Sequence, residues 1–238
     1  MMKLADPEQV AGLSRFFKTG PGQYGEGDKF LGIKVPRTRE VVRAIWKEVT
    51  FAELEECISN GYHEIRLAAL LVLVRIFKHA GKDFGLKQRC VEFYLQHTDW
   101  INNWDLVDLS CYEILGPFLL DKDRSILYEM ARDGRTIWER RIGIVSTMVF
   151  IRAGQIDDTF AIADILLQNP STQEDRQSKP GQMHDLLQKA AGWLLRETMK
   201  VDEARLKDWL ETRCATMPRT MLRYAIEKFT PEERARFT

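Results

Sequence analysis

Apolar residues recur every three or four positions along most of the chain, a spacing that places them on one side of an α-helix. The clearest case is the segment 64–79, in which Leu67, Leu70, Leu71 and Val74 share such a face. No segment of the sequence sustains the alternation of apolar and polar positions that is typical of a β-strand. The pattern therefore predicts an all-α chain.

Turn signals divide this pattern into separate helices. Asp6-Pro7 combines an N-cap residue with a proline at the first helical position, and Asn60-Gly61 is a good helix stop. The polar stretch 169–182 is predicted to be a long loop. The first helix stops at Gly20, and further helices are predicted at residues 37–49, 51–59, 64–79 and 84–97. One helix or a pair of helices is predicted from the segment 102–108 to about 120. The remaining helices are predicted at 121–131, 136–151, 157–168, 183–199, 202–214, 218–228 and 231–236.

The predicted helices come in pairs joined by short turns, at a loose spacing of about 35–45 residues. Helical repeats of the HEAT and armadillo kind have that spacing. Such antiparallel pairs stack into a curved solenoid with a concave surface. We therefore expect residues 1–238 to form a single HEAT-like repeat domain.

The segment 23–36 interrupts the helical pattern with three glycines. Glycine permits close backbone approach and unusual dihedral angles. The segment lacks the Gly-Lys-Ser/Thr sequence and the preceding strand of a phosphate-binding loop. The alternative is a plain connector that carries one packed aromatic residue.

Charge and cysteine content narrow the class of protein. The 238 residues include 35 Lys and Arg and 35 Asp and Glu, and residues 1–120 and 121–238 carry net charges of −1 and +1. No global field indicates a polyanionic partner, and the net charge does not exclude a local basic patch. The four cysteines and four histidines fit no metal motif, and we expect free, mostly buried thiols in a reducing cytoplasm. No signal peptide, membrane-spanning helix, metal or cofactor is expected, and triad chemistry has no support.

The segment from Asn102 to Asp108 is the richest in candidate chemistry. Asn102 or Asn103 can cap a helix whose first turn contains Asp105, where the helix dipole favours an anion. Trp104 and Asp108 are four residues apart and share one face of that helix. A ring and a carboxylate on one face can hold a sugar-like group and stabilise a developing positive charge. The alternative is a core tryptophan with Asp108 paired to a neighbouring arginine.

Three basic segments further along the chain are candidate phosphate contacts. Arginine pairs with phosphate in a bidentate manner, and a helix N-terminus is itself an anion site. An aromatic ring between two cations is also a plausible nucleic-acid patch. The alternatives are a solvated arginine pair, a core tryptophan and an Arg223–Glu227 pair. The candidates are Arg140 and Arg141 after Trp138, then Lys189 and Arg196 beside Trp193, then Arg219 and Arg223.

Five motifs in order make the chain resemble the AlkD-like DNA alkylation-repair glycosylases. They are YGEGDxFLGIxVP at 24–36, WDxVD at 104–108, IWxxR at 137–141, QKAxGWxLRE at 188–197 and RTxLRYA at 219–225. The resemblance covers nearly the whole chain. It implies an all-α solenoid of HEAT-like repeats whose basic concave face holds duplex DNA.

The resemblance also implies an activity and roles for particular residues. The activity is hydrolysis of the N-glycosidic bond of cationic N3- or N7-alkylated purines, which leaves an abasic site. The catalytic aspartate falls on Asp108, the two tryptophans against the damaged nucleotide fall on Trp104 and Trp193, the phosphate-contacting arginine falls on Arg141, and a tyrosine of the N-terminal segment falls on Tyr24. Lys189, Arg196, Arg219 and Arg223 are expected to add DNA contacts.

The expected protein is a monomeric, cofactor-free enzyme of base excision repair that acts on double-stranded DNA containing alkylated bases, in the cytoplasm and on the nucleoid. Trp104, Asp108, Arg141 and Trp193 are expected to converge on one concave face. Two alternatives stay open at this point. A non-catalytic HEAT-like DNA-binding protein would not need Asp108, and a protein-binding helical scaffold would not need these four residues together.

Overall fold

Helices make up the regular structure of the chain. The computed structural model describes residues 1–169 and 181–237, and within them the single β-feature is an isolated bridge between Lys29 and Tyr62. The all-α prediction is confirmed. Most of the loop predicted at 169–182 lies outside the described residues, and no helix in the described part is long and apolar enough to cross a membrane.

The chain divides into two compact units, Met1–Phe118 and Leu119–Thr238, which we describe separately. The single-domain expectation stays a prediction. Helices of the first unit are α1 Pro7–Phe16, α2 Val35–Ile45, α3 Phe51–Ile58, α4 His63–His79, α5 Phe84–Gln96, α6 Trp104–Asp108 and α7 Cys111–Leu119, which reaches the unit boundary. Those of the second are α8 Ser125–Asp133, α9 Ile137–Val145, α10 Met148–Arg152, α11 Asp157–Gln168, α12 Asp185–Thr198, α13 Glu203–Glu211, α14 Arg219–Ala225 and α15 Pro231–Ala235.

Most helices of the first unit begin at a side-chain cap. Asp6 accepts a hydrogen bond from the Glu8 amide and precedes a proline, as predicted. Thr50 and Glu53 form a capping box at the start of α3, which satisfies two backbone donors reciprocally. The central helix of this unit is α4, which is buried over most of its surface and packs against α2, α3 and α5.

The second unit is built around α12, which packs against α9, α11 and α14. Its approach to α14 requires glycine, because a Cβ atom at Gly192 would lie 2.5 Å from the Met221 carbonyl oxygen. Each unit thus consists of helices packed on helices that lie one to three elements away in sequence. That arrangement is consistent with the predicted α-α helical repeat.

Some of the predicted boundaries are wrong. The helix predicted at 136–151 is interrupted between α9 and α10, where the hydroxyls of Ser146 and Thr147 donate to the carbonyls of Ile142 and Ile144. Hydroxyl side chains that bond to nearby carbonyls compete with the helical pattern. The helix predicted from 121 begins only at Ser125, whose amide donates to the Asp123 carboxylate at 2.7 Å.

Candidate functional site

Trp104 and Asp108 occupy the first and last positions of α6 and share one face of it. The helix begins there because the Asn103 side chain accepts a hydrogen bond from the Trp104 amide at 2.9 Å, which confirms the predicted cap. The three residues between Trp104 and Asp108 are buried, whereas these two are partly exposed. The indole and the carboxylate therefore lie on the accessible side of a short, anchored helix.

A buried histidine joins α6 to the glycine-rich segment and to α4. The two ring nitrogens of His63 lie 3.0 Å from Asp28 Oδ2 and 2.9 Å from Asp105 Oδ2. Burial alone would lower the pKa of His63, but hydrogen bonds to Asp105 and Asp28 outweigh it and raise the pKa to about 9. Both ring nitrogens are then donors, so His63 is an imidazolium at neutral pH.

Arg66 completes this buried cluster. Its guanidinium donates to Asp28, to the Asn102 side-chain oxygen at 2.9 Å and to the Asn60 carbonyl at 2.8 Å. Burial would raise the pKa of Asp28, but the His63 hydrogen bond and the Arg66 charge lower it. Two cations thus neutralise the carboxylates of Asp28 and Asp105. Buried charges are tolerated when they are paired and hydrogen-bonded in this way.

Glu64 anchors the far end of the glycine-rich segment. Its carboxylate accepts hydrogen bonds from the amides of Leu31, Gly32 and Ile33 at 2.9, 2.9 and 3.0 Å. The backbone approaches closely here, as the glycines predict, because a Cβ atom at Gly25 would lie 2.4 Å from the Phe17 carbonyl oxygen. The segment is therefore an ordered wall beside α6.

An aromatic cluster supports Trp104. The Phe17 ring stacks on the indole at a centroid distance of 5.5 Å and also contacts the His63 ring at 4.8 Å. Phe16, which is 60% exposed, meets the indole edge-on at 5.7 Å. The Tyr24 hydroxyl donates to the Phe16 carbonyl at 3.5 Å. Tyr24 thus lies beside the aromatic neighbour of Trp104 within the first unit.

In the second unit, Arg140 and Arg141 are buried in α9 and do not form the solvated pair that was the alternative. Arg140 donates to the carbonyls of Ala131, at 2.9 Å, and Asn169. Arg141, only 5% exposed, donates to the Leu186 carbonyl in the first turn of α12. Its phosphate contact stays a prediction.

Trp193 is partly exposed and borders a pocket of about 450 Å³. Both predicted cations on its helix contact carboxylates. Lys189 Nζ lies 2.6 Å from an oxygen of Asp185, and Arg196 pairs with Glu227 and, at 3.4 Å, with Glu197. This face of α12 therefore carries less free positive charge than its sequence indicates.

Arg219 and Arg223 are exposed on α14, and no described residue forms an ion pair with either. The alternative pairing of Arg223 with Glu227 is wrong, because Glu227 binds Arg196 instead. These two arginines keep their charge available. Their contact with DNA stays a prediction.

The structure brings together side chains that the motifs only suggested. Trp104 and Tyr24 lie around one aromatic cluster in the first unit, and Asp108 shares a face of α6 with Trp104. Lys189, Trp193 and Arg196 lie along α12 in the second unit. The cluster of Asp28, His63, Arg66 and Asp105 was not predicted from the sequence. The available signal was that Asp28 and Asp105 lie in two of the five motifs.

The comparison with known proteins indicates the family of the chain. The family model for DNA alkylation repair enzymes matches residues 1–229, which include α6, α9, α12 and α14. No curated protein matches the chain. Because the match covers nearly all of the 238 residues, the chain belongs to the family of DNA alkylation repair enzymes.

Proposed function

We propose that the protein is a monofunctional DNA glycosylase that hydrolyses the N-glycosidic bond of cationic N3- or N7-alkylated purines in duplex DNA. The observation that carries the proposal is the pairing of an accessible carboxylate with an indole on one face of α6, in a chain of the DNA alkylation repair family. The product is an abasic site.

The leaving group needs little activation by the protein. An alkylated purine cation departs as a neutral base, so no strong general acid is required. Departure leaves positive charge on the deoxyribose. Asp108 stabilises that charge and positions or deprotonates the attacking water, because a fixed carboxylate in a partly desolvated site acts strongly on nearby charge.

The remaining residues bind and orient the damaged strand. Trp104 offers a ring face to the sugar, where aromatic faces attract developing positive charge, and Trp193 is proposed to do the same. Arg141, Arg219 and Arg223 contact backbone phosphates, with Lys189 and Arg196 in support. Tyr24 contacts the strand beside Trp104. Phosphate contacts set the position of the DNA, and Asp108 acts on the sugar.

Replacement of Asp108 by Asn tests the catalytic role. The two side chains are nearly the same size and position 108 is partly exposed, so the variant should fold and bind alkylated duplex DNA at least as tightly as wild type. Single-turnover base release should fall by about 10²–10³-fold, the loss typical of one electrostatic stabiliser. The residual rate should be highest for the best leaving groups.

Asp208→Asn is the matched control, since it removes the same charge from an exposed position of α13. It should release base at the wild-type rate. If Asp108→Asn melts normally and keeps that rate, Asp108 is not catalytic. If the wild-type protein binds alkylated DNA but releases no base, the non-catalytic DNA-binding alternative is correct.

A further inference from the structure

A cleft of about 230 Å³ lies between α2 and α4 of the first unit. Arg39 and Arg43 line it from α2, and Arg75, Lys78 and His79 line it from α4. The apolar side chains of Val42, Leu71 and Val74 complete the lining. None of these residues belongs to the proposed catalytic set.

The cleft concentrates positive charge in a chain whose net charge is zero. In the described part of the chain, Arg39, Arg43 and Arg75 form no ion pair. Lys78 is the exception, because its Nζ lies 2.6 Å from an oxygen of Glu113. No carboxylate lines the cleft itself. Three guanidinium groups are therefore available to an anion.

The spacing of these groups suits successive phosphates. Arg39 and Arg43 are one helical turn apart on one wall, as are Arg75 and His79 on the other, so the Cβ atoms of each pair lie about 5–6 Å apart. Guanidinium binds phosphate oxygens in a bidentate manner. The apolar residues between the two walls are buried and form the floor of the cleft.

The size of the cleft decides between a small ligand and a polymer. Sites that enclose small molecules occupy about 300–1,000 Å³, and this cleft is smaller. It can take part of a chain molecule that passes through it. We propose that the α2–α4 cleft binds the phosphodiester backbone of DNA, as a contact separate from the residues that act on the lesion. The choice of DNA rests on the proposed function.

The test is the salt dependence of binding to undamaged duplex DNA by wild type and by the Arg39→Gln/Arg43→Gln variant. Each lost phosphate contact should reduce the slope of log K against log salt by about one unit. The affinity loss between about 50 and about 200 mM salt should then be roughly tenfold smaller in the variant. Melting curves confirm that both proteins are folded.

Lys82→Gln/Arg89→Gln is the matched control, because it removes two exposed positive charges of the same unit outside the cleft. Its slope should stay within about half a unit of wild type. Equal slopes for wild type and the cleft variant would overturn the proposal. So would an equal decrease in the control, which would indicate a general charge effect.

Two further measurements are needed. One distinguishes DNA from a free anion as the ligand of the cleft, and the other distinguishes the cleft proposal from the catalytic proposal. Pyrophosphate that binds wild type but not the cleft variant, with no change of the DNA slope, would assign the cleft to a free anion and overturn the DNA assignment. Single-turnover base release at saturating protein should be unchanged in the cleft variant. If Asp108→Asn keeps its rate while the slope difference persists, the catalytic proposal fails and the cleft proposal stands.

Discussion

His63 is a charged side chain inside an aromatic cluster. The rings of Phe17 and Phe30 both lie 4.8 Å from the imidazole, and its nitrogens bind the carboxylates of Asp28 and Asp105. Phe17 also stacks on Trp104. His63 therefore contacts both the ring that supports the Trp104 indole and the carboxylate that anchors α6. The charge state of His63 should affect the stability of the first unit.

We expect this contribution to depend on pH in one direction. The pKa of His63 rises from 6.5 to about 9 on folding, so its stabilisation is fully present below pH about 6.5 and is lost as the pH rises through 9. The loss is on the order of 3 kcal/mol, since each tenfold change in proton affinity corresponds to about 1.4 kcal/mol.

Denaturant unfolding of wild type and His63→Gln at pH 6, 7.5 and 9.5 measures this effect. The variant should be less stable at pH 6, and the difference in unfolding free energy should narrow as the pH rises. His79, which is exposed, supplies the control variant His79→Gln, whose difference from wild type should not vary in this way. A constant difference for His63→Gln would mean that folding does not shift the pKa of the imidazole.

At the scale of elements, a short helix is held by a segment without regular structure. The five residues of α6 are too few to be stable alone, because helix formation requires a costly nucleus. The residues 25–33 hold it through Asp28 and are in turn held by Glu64 and by the Asp6 amide, which donates to the Leu31 carbonyl at 2.8 Å. The conformation of this segment should therefore control the site.

Gly32→Ala and Gly12→Ala form a test pair for this dependence. Gly32 has φ +87°, and a Cβ atom there would lie 1.9 Å from the Asp6 carbonyl oxygen, so the variant should lose at least about 2 kcal/mol of unfolding free energy. Gly12 lies within α1 with open space around it, and alanine should stabilise the protein by about 0.5–1 kcal/mol.

Thermal or urea unfolding gives both values, and base release from alkylated DNA reports on the site. Gly32→Ala should lower both stability and base release. Normal stability of Gly32→Ala would show that the segment can move away from Asp6 without cost.

At the scale of the whole molecule, the balance of charge is local. Lys189 and Arg196 face carboxylates on their own surface, whereas Arg219 and Arg223 do not. A cation that is already paired gains less from a phosphate, because it must give up its partner. The chain has 35 positive and 35 negative residues, but its basic residues therefore differ in whether a carboxylate already pairs with them.

Arg223→Gln and Arg196→Gln should differ in DNA binding for this reason. Loss of Arg223 should lower the magnitude of the salt slope by about one unit. Loss of Arg196 should change it by less, since Arg196 is already paired with Glu227 and must give up that partner to bind a phosphate. The same titration of undamaged duplex DNA measures both, and equal slopes for the two variants would contradict the distinction.

The sequence by itself determined the helical class, most helix boundaries, the cap of α6 and the placement of Trp104 and Asp108 on one face. These features depend on residues that are close neighbours in the chain, where spacing and capping preferences act directly. The free state of all four thiols, of which Cys90 and Cys111 are buried, was predicted in the same way. The sequence did not predict the break within the helix at 136–151, where hydroxyl side chains bond to nearby carbonyls.

Only the tertiary structure decided which charged residues are buried and which partners they take. His63 meets Asp28 and Asp105 across 35 and 42 positions, and Arg196 takes Glu227 across 31. Burial of Arg140 and Arg141 likewise depends on carbonyls contributed by other helices. Periodicity specifies the face on which a residue lies, but a charge is stabilised or left free by groups that only folding brings within hydrogen-bonding distance.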